Sequence, residues 1–439
     1  MIQDQHARIV AELTSRWPEH RVAPSLSRIQ ALCDLMADPQ ATAPVVQITG
    51  TNGKGSTAII IDALLRSVGL RTGRFSSPHL VDITERICVD GVPISAERFD
   101  QTWEEIRGLV AMVDDMRLDG VPMTFFEVIT GMAYAAFADA PVDVMVMEVG
   151  MGGTWDATSV AETQVAVLTH VDLDHMAILG DTVAQIAHEK AGVIKLGSTA
   201  VSAVQSPQAG EVIVRRCLEM SAELLAEGVD FALLDRQPGA GGQLLRIQAG
   251  GGPIGDLFLP LHGEHMAHNA ALAVAAVEAL TGRPLSAEVI QAGFDQVEAP
   301  ARLELVSADP PVVLDTAHNP HGVRATLAGA QEAFDFDPLV GVLAMMADKD
   351  VRGVLELLEP AVNTLVVTQV ADNRRALPAE ELAQMAVDVF GADRVECAPT
   401  SADAVDMAVR LAGGAGDRAG VLVLGSVYLA GEVRALLRP

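Results

Sequence analysis

Short apolar runs separated by stretches of helical periodicity constrain this chain more than any other feature. "VVQITG", "VDVMVMEVG" and "VAVLTHV" occur in its first half, and "PVVLDTAH", "VGVLAMM", "TLVVTQV" and "GVLVLGSVYL" in its last third. A strand that is apolar on both faces has to be covered on both, which is the situation of a parallel strand sandwiched between helix layers. The expected fold class is therefore α/β. The segment "VEAPAR", Val297 to Arg302, follows two helical stretches and precedes a new series of strands. The domain joint is placed there, giving one domain over 1–299 and a second over 300–439, with "EAPAR" as the hinge. The first domain is too large for a minimal sheet, and "RQPGAGGQLLRIQAGGGPIGDLFLPL" reads as glycine-punctuated antiparallel strands added to it. "GGAGDRAG", Gly413 to Gly420, reads as a surface loop, and there is no internal repeat.

Between the first run and the first helix lies "TGTNGKGST". A strand ending in glycine, a loop with further glycines and then a helix let backbone N–H groups and the positive helix end surround a phosphate. Lys54 adds a full charge, and Ser56 or Thr57 a hydroxyl. Lysine is scarce here: Lys54, Lys190, Lys195 and Lys349 are the only four, so one in this loop is unlike ordinary surface filler. The spacing differs from the common P-loop G-x-x-x-x-G-K-[ST], because Gly50 is three residues before Gly53 and Gly55 separates Lys54 from Ser56. The bland alternative is a glycine turn carrying an exposed lysine. The order strand, loop, helix favours the phosphate site.

Charge and cysteine content narrow the function classes. A formal net charge of -28 with no concentrated basic patch opposes wrapping nucleic acid or lying on an anionic membrane. Cys33, Cys88, Cys217 and Cys397 are far apart with no CxxC pair, which fits a reducing cytosol and excludes a cysteine-built zinc site. The start, "MIQDQHARIV", lacks the plan of a signal peptide, so a cytoplasmic protein is expected.

A magnesium partner is expected beside the phosphate loop. "VDVMVMEVG" ends near Glu148, where a strand can present a carboxylate at the sheet's carboxyl edge; the same residue could simply cap the next turn. "LTHVDLDHM" offers His170, Asp172, Asp174 and His175 at the end of another expected strand, and "HEKAG" carries Lys190 on the following helix. Acid and imidazole grouped there suit a second metal ion, against the alternative of a polar loop with scattered histidines.

The motifs "TGTNGKGS", "SSPHL", "ERI", "FFE", "EVGMGG" with "WDAT", "LDH", "HEKAG", "HNA", "RLE", "DTAHNPHG", "MADKD" and "GSVYLAGE" occur in one order from about Ser25 onward. As a set they resemble the folylpolyglutamate synthases and dihydrofolate synthases of the Mur-ligase superfamily. The resemblance implies an N-terminal P-loop-type ATP-binding domain, a smaller Rossmann-like C-terminal domain and an active site between them. It implies a monomer that uses ATP, two magnesium ions and a monovalent cation to join L-glutamate to dihydropteroate or a reduced folate through an acyl phosphate. Such chemistry needs charge neutralisation more than an acid–base dyad.

Carried over residue by residue, the resemblance makes Gly50, Thr51, Asn52, Gly53, Lys54, Gly55, Ser56 and Thr57 the phosphate cradle. Asn269, Arg302, Asp315 and His318 become nucleotide contacts. Thr51, Ser77 and Glu148 would surround one magnesium, and His175 with Lys190, as a carbamate, the second. Lys54, Lys190 and His318 are its catalytic groups, and Phe126, Asp156 and Ala157 its pterin contacts. Thr154, Trp155 and Ser159 stand where many relatives have arginine, leucine and asparagine. Met266 replaces a common glutamine, and Ala301 a glycine, which stiffens the linker. A GTPase-like switch would share the loop and strand-end acid, but no N-K-x-D motif is present. The residues also leave open a cell-wall Mur ligase and a non-catalytic nucleotide-binding module.

Overall fold

The computed structural model describes residues 2–18, 23–371, 373–416 and 418–438. Met1 of the N-terminal stretch and Asp417 of the Gly413–Gly420 loop lie outside the described residues. The chain forms two compact units, the first made of Met1–Asp235, Leu245–Leu259 and Ala267–Val297, the second of Arg236–Leu244, Pro260–Met266 and Glu298–Pro439. The final passage between them falls at Val297/Glu298, while residues 236–244 and 260–266 also cluster with the second unit.

The first unit is built on an eight-stranded sheet: β1 (Val45–Thr49), β2 (Thr72–Phe75), β3 (Ile87–Val89), β4 (Val92–Pro93), β5 (Val144–Glu148), β6 (Thr163–Leu168), β7 (Thr199–Ser202) and β8 (Glu223–Ala226). Their order is β4-β3-β2-β5-β1-β6-β7-β8. β1 is parallel to both β5 and β6, and the β2·β3 and β3·β4 pairings are antiparallel. Every residue of β1 and β5 is buried, as expected of strands covered on both faces. From β1 the chain moves to β2 on one side, and from β5 it crosses over to β6 on the other. The carboxyl end of β1 is thus a topological switch point, where the flanking loops part and leave a crevice.

The helix Lys54–Ser67 follows β1 directly and buries nine of its residues, among them Ile60, Ile61 and Leu64. A second layer centres on Phe75, Phe99, Trp103, Phe125, Tyr134 and Phe137. One charged pair is enclosed there. Arg28, 1% exposed, donates from Nε to both oxygens of Glu127 at 3.1 Å. Glu127 also closes the capping box of its own helix by accepting from Thr124 N at 2.7 Å.

β9 (Ala232–Gly239), β10 (Gly242–Ala249) and β11 (Gly252–Leu259) form a separate three-stranded sheet in sequential order, with Gly241 and Gly252 at positive φ in its turns. The second unit's six-stranded sheet runs β12-β13-β17-β14-β15-β16. Its members are β12 (Arg302–Ala308), β13 (Pro311–Asp315), β14 (Leu339–Leu343), β15 (Thr364–Val367), β16 (Val395–Cys397) and β17 (Gly420–Leu424). β12 alone is antiparallel to its neighbour.

The apolar run "GVLVLGSVYL" is not one strand. It stops at Leu424 because Gly425 turns the chain at φ +101, where a Cβ would come 2.5 Å from Ala344 O, and Ser426 then caps the helix Val427–Leu437. No helix among the described residues is long and apolar enough to cross a membrane.

Candidate active site

The loop after β1 is held from behind by the loop after β6. Thr51 N donates to His170 O at 3.0 Å, and the Thr51 hydroxyl donates to Asp172 O at 2.9 Å while accepting from Asp172 N at 3.0 Å. Thr169 Oγ1 donates to Asn52 O at 2.7 Å. Gly50, at φ +145, has no room for a side chain, since a Cβ would lie 1.7 Å from Thr169 Oγ1. Gly53, at φ +87, is the N-cap of the helix Lys54–Ser67 and offers its first-turn N–H groups no side-chain cap. Thr57 Oγ1 is buried and has no partner in the protein. Thr169, which holds this loop from behind, is not among the residues expected from the sequence, because a threonine at a strand end carries no motif.

Two lysines converge on one carbonyl. Lys54 Nζ donates to Gly50 O at 3.1 Å, and Lys190 Nζ donates to the same oxygen at 2.7 Å. Lys190 is 4% exposed, and burial followed by the Lys54 charge lowers its pKa to about 7 from the usual 10.5. Asp174, Asp156 and Glu189 oppose that fall. The glycines of "EVGMGG" give the site its closeness: a Cβ on Gly153 would lie 2.5 Å from Lys190 O. Thr154 then anchors the segment, its N donating to Glu189 Oε1 at 2.9 Å and its Oγ1 to Glu189 O at 3.2 Å. The departure from arginine there puts a short hydroxyl against the end of the helix carrying Lys190.

Glu148 closes β5 in register with Ile48, and its Oε2 accepts from Ser77 N at 3.3 Å. These two expected metal ligands therefore meet at the carboxyl edge. His175, at φ +50, follows Asp174 on the loop after β6, with Nε2 3.9 Å from Asp174 Oδ2. Asn269 lies across the loop, its amide oxygen 2.9 Å from where a Gly53 Cβ would stand.

Phe126 packs against Phe75 at 5.8 Å between ring centroids and fills the space beside Gly150. Asp156 is buried, which raises its pKa, and its oxygens accept from Thr158 N at 3.0 Å and Met151 N at 3.0 Å. Ala157, next in the chain, is buried as well. Ser159 is buried and accepts from Gln47 Nε2 at 2.8 Å, a structural role beneath the sheet edge.

In the second unit, Arg302 and Asp315 are cross-strand partners of β12 and β13. Asp315 accepts from Leu303 N at 3.1 Å, Ala317 N at 2.8 Å and Thr326 Oγ1 at 2.8 Å, so its carboxylate ties three segments together. His318 Nδ1 lies 3.0 Å from Thr316 O; a carbonyl only accepts, so Nδ1 carries the hydrogen. Ala301 is buried with φ +51. The alanine is therefore in a conformation natural to the glycine of relatives, and it bears strain rather than merely stiffness.

A glycine-lined loop lies at the switch point of a mainly parallel sheet with two lysines on one of its carbonyls, and the class to which the chain belongs is that of the Mur ligases. Residues 48–277 match the Mur ligase middle domain and residues 301–427 the Mur ligase glutamate ligase domain. The chain is 46% identical to the dihydrofolate synthase/folylpolyglutamate synthase of Mycobacterium tuberculosis, over 97% of its own length and 92% of the relative's. It is 31% identical to the enzyme of the same name from Bacillus subtilis, over 95% of this chain and 96% of that one. The structure of M. tuberculosis folylpolyglutamate synthase complexed with ADP and AMPPCP superposes with a TM-score of 0.95 at 44% identity, covering 100% of this chain and 99% of the other. The chain belongs to the folylpolyglutamate synthase/dihydrofolate synthase family.

Proposed function

We propose that the protein is an ATP-dependent ligase that joins the amino group of L-glutamate to a pterin-linked carboxylate, dihydropteroate or a reduced folate. The observation that carries this reading is the pair of lysines on Gly50 O at the end of β1, within a cradle too tight for side chains. A carboxylate is a poor acylating agent. Transfer of the γ-phosphoryl group of ATP to a carboxylate oxygen releases ADP and gives an acyl phosphate. Attack by the amine nitrogen on the carbonyl carbon then expels phosphate and leaves the amide. Both steps move negative charge, which the loop N–H groups and Lys54 are aimed to neutralise.

The hydroxyls and carboxylate of Thr51, Ser77 and Glu148 fit magnesium, a hard cation that takes oxygen ligands beside phosphates, whereas the His175 imidazole is a softer donor. Thr51, Ser77 and Glu148 would hold one ion, and His175 with Lys190 a second. When bound, magnesium supplies neutralisation of the phosphate oxygens. Lys190 as an ammonium opposes a cation. Buried and shifted toward neutrality, it is suited to react with carbon dioxide and become an anionic carbamate. On the second unit we assign nucleotide contact to Arg302, Asp315 and His318, with His318 catalytic. Phe126, Asp156 and Ala157 are assigned to the pterin. We take 1–299 as the ATP-binding domain, 300–439 as the glutamate ligase domain, and the protein as a cytoplasmic monomer.

Phosphate release with ATP, magnesium and L-glutamate, measured on a panel of dihydropteroate, reduced folates and UDP-muramoyl peptides, tests the reading. Release is expected with one or both pterin substrates, which also divides dihydrofolate synthesis from chain extension. Release with the muramoyl peptides alone would place the protein on the cell-wall branch, and ATP binding without release would make it a non-catalytic module.

A further inference from the structure

Glu227 immediately follows β8, is buried, and has no part in the chemistry above. Its Oε2 accepts from Val204 N at 3.1 Å, and its Oε1 meets Nδ1 of His268. An ionised carboxylate only accepts, so His268 Nδ1 donates. A carboxylate removed from water is costly unless its oxygens are satisfied, so this one is committed to its two partners. Both partners lead to the phosphate loop. Val204 O lies 3.1 Å from His170 Nδ1, and His170 O accepts from Thr51 N at 3.0 Å. On the other side, His268 precedes Asn269 in the helix Glu264–Thr281, and the Asn269 amide rests on Gly53. Hydrogen bonds thus run from the loop across the carboxyl ends of β6, β7 and β8 to His268, and the next residue returns to the loop.

We propose that Glu227 and His268 form a positioning pair for the nucleotide site. They tether the helix at residue 268 and so hold the Asn269 amide at one attitude over the phosphate loop. Core packing of Ala267, Ala270 and Ala271 seats the helix, and because successive residues are turned by about 100° from each other, a tether at 268 adds a restraint on how residue 269 is presented. An amide aimed at a ligand binds well only when its rotation is held by its support. The inference rests on Gly50–Thr57 being an ATP site.

The test uses the full chain and its His268→Ala, His268→Asn and Glu227→Gln variants, with ADP and magnesium as the calorimetric probe alongside steady-state kinetics. His268→Ala is expected to weaken ADP binding about tenfold, the scale of one lost hydrogen bond to a charged group. The KM for ATP should rise by more than kcat falls, with the KM for glutamate unmoved. His268→Asn can donate from nearly the same place and should recover most of the affinity, and Glu227→Gln should fall between. ADP affinity in His268→Ala equal to that of the unaltered chain overturns the pair's role. So does a uniform loss for all substrates that follows thermal stability and is not recovered by asparagine. An unaltered chain that binds no ADP overturns the ATP reading as well.

Discussion

At pH 8 a lysine that titrates near 10.5 is uncharged in about one molecule in 300, whereas Lys190, lowered to about 7, is uncharged in about nine of every ten. Carbon dioxide forms its bond only with the uncharged nitrogen, which then gives up a proton to solvent. At equal dissolved carbon dioxide, Lys190 should therefore carbamylate about 300 times more readily than a surface lysine. Carbon NMR of protein equilibrated with labelled bicarbonate and magnesium at pH 8 should show a carbamate signal that disappears in Lys190→Ala and fades as pH falls through about 7. The same variant should lose magnesium-dependent turnover, and a short-chain carboxylate in solution should restore part of it by filling the vacated place. The burial argument has a second consequence. The folded value lies below the unfolded one, so between about pH 7 and 10.5 the unfolded chain binds more protons. The contribution of this group to stability is lowest below about pH 7 and rises with pH across that window. In buffer free of carbon dioxide and magnesium, the stability of the unaltered chain relative to Lys190→Ala should climb by about 1 kcal/mol from pH 8 to pH 9. A flat difference, or full activity in Lys190→Ala with no carbamate signal, would refute the reasoning.

Lys54→Ala deletes a charge from the developing phosphoryl transition state and should cost about 2 to 3 kcal/mol, on the order of a hundredfold in kcat, while the melting temperature stays put; near-normal turnover at saturating ATP removes the phosphate-site reading. Arg28→Met leaves the Glu127 carboxylate buried without its partner and should destabilise the chain by about 3 to 5 kcal/mol in urea titration, with the Arg28→Met, Glu127→Leu double variant losing less than Arg28→Met alone. Ala301→Gly should stay within about 1 kcal/mol of the unaltered stability, because relief of positive φ is offset by the freedom of glycine in the unfolded chain. Ala301→Val puts a β-branched side chain into the same buried, positive-φ position and should cost at least about 2 kcal/mol; equal melting temperatures for the two variants would show that the backbone there is unstrained.

Wherever structure depends on neighbours in the chain, it was legible in the residues. The strand–loop–helix of Ile48 to Thr57 needs only local order, because its glycines, lysine and helix start are consecutive. Strands that are apolar on both faces, such as β1, β5, β14 and β17, announce themselves by composition. β2 and β16 do not: "TGRF" and "VEC" are too short and too polar to stand out. Glu127 could be read as part of a motif, but its partner Arg28 lies 99 residues earlier, and no local pattern records which buried charge answers which.

From its amino acids alone, the chain determined an α/β fold and a glycine-bracketed loop between a strand and a helix, which follow from short-range spacing, and its ordered motifs carried the resemblance to a ligase family. Only the tertiary structure decided that Lys54 and Lys190, 136 residues apart, donate to the same carbonyl oxygen of Gly50. It also decided that Glu227 and His268 tie the Asn269 helix to the sheet edge. The physical reason is common to both. A lysine's proton affinity and a histidine's orientation depend on what encloses them, and enclosure is created when β1, β6, β7 and β8 align side by side and bring distant loops to one edge.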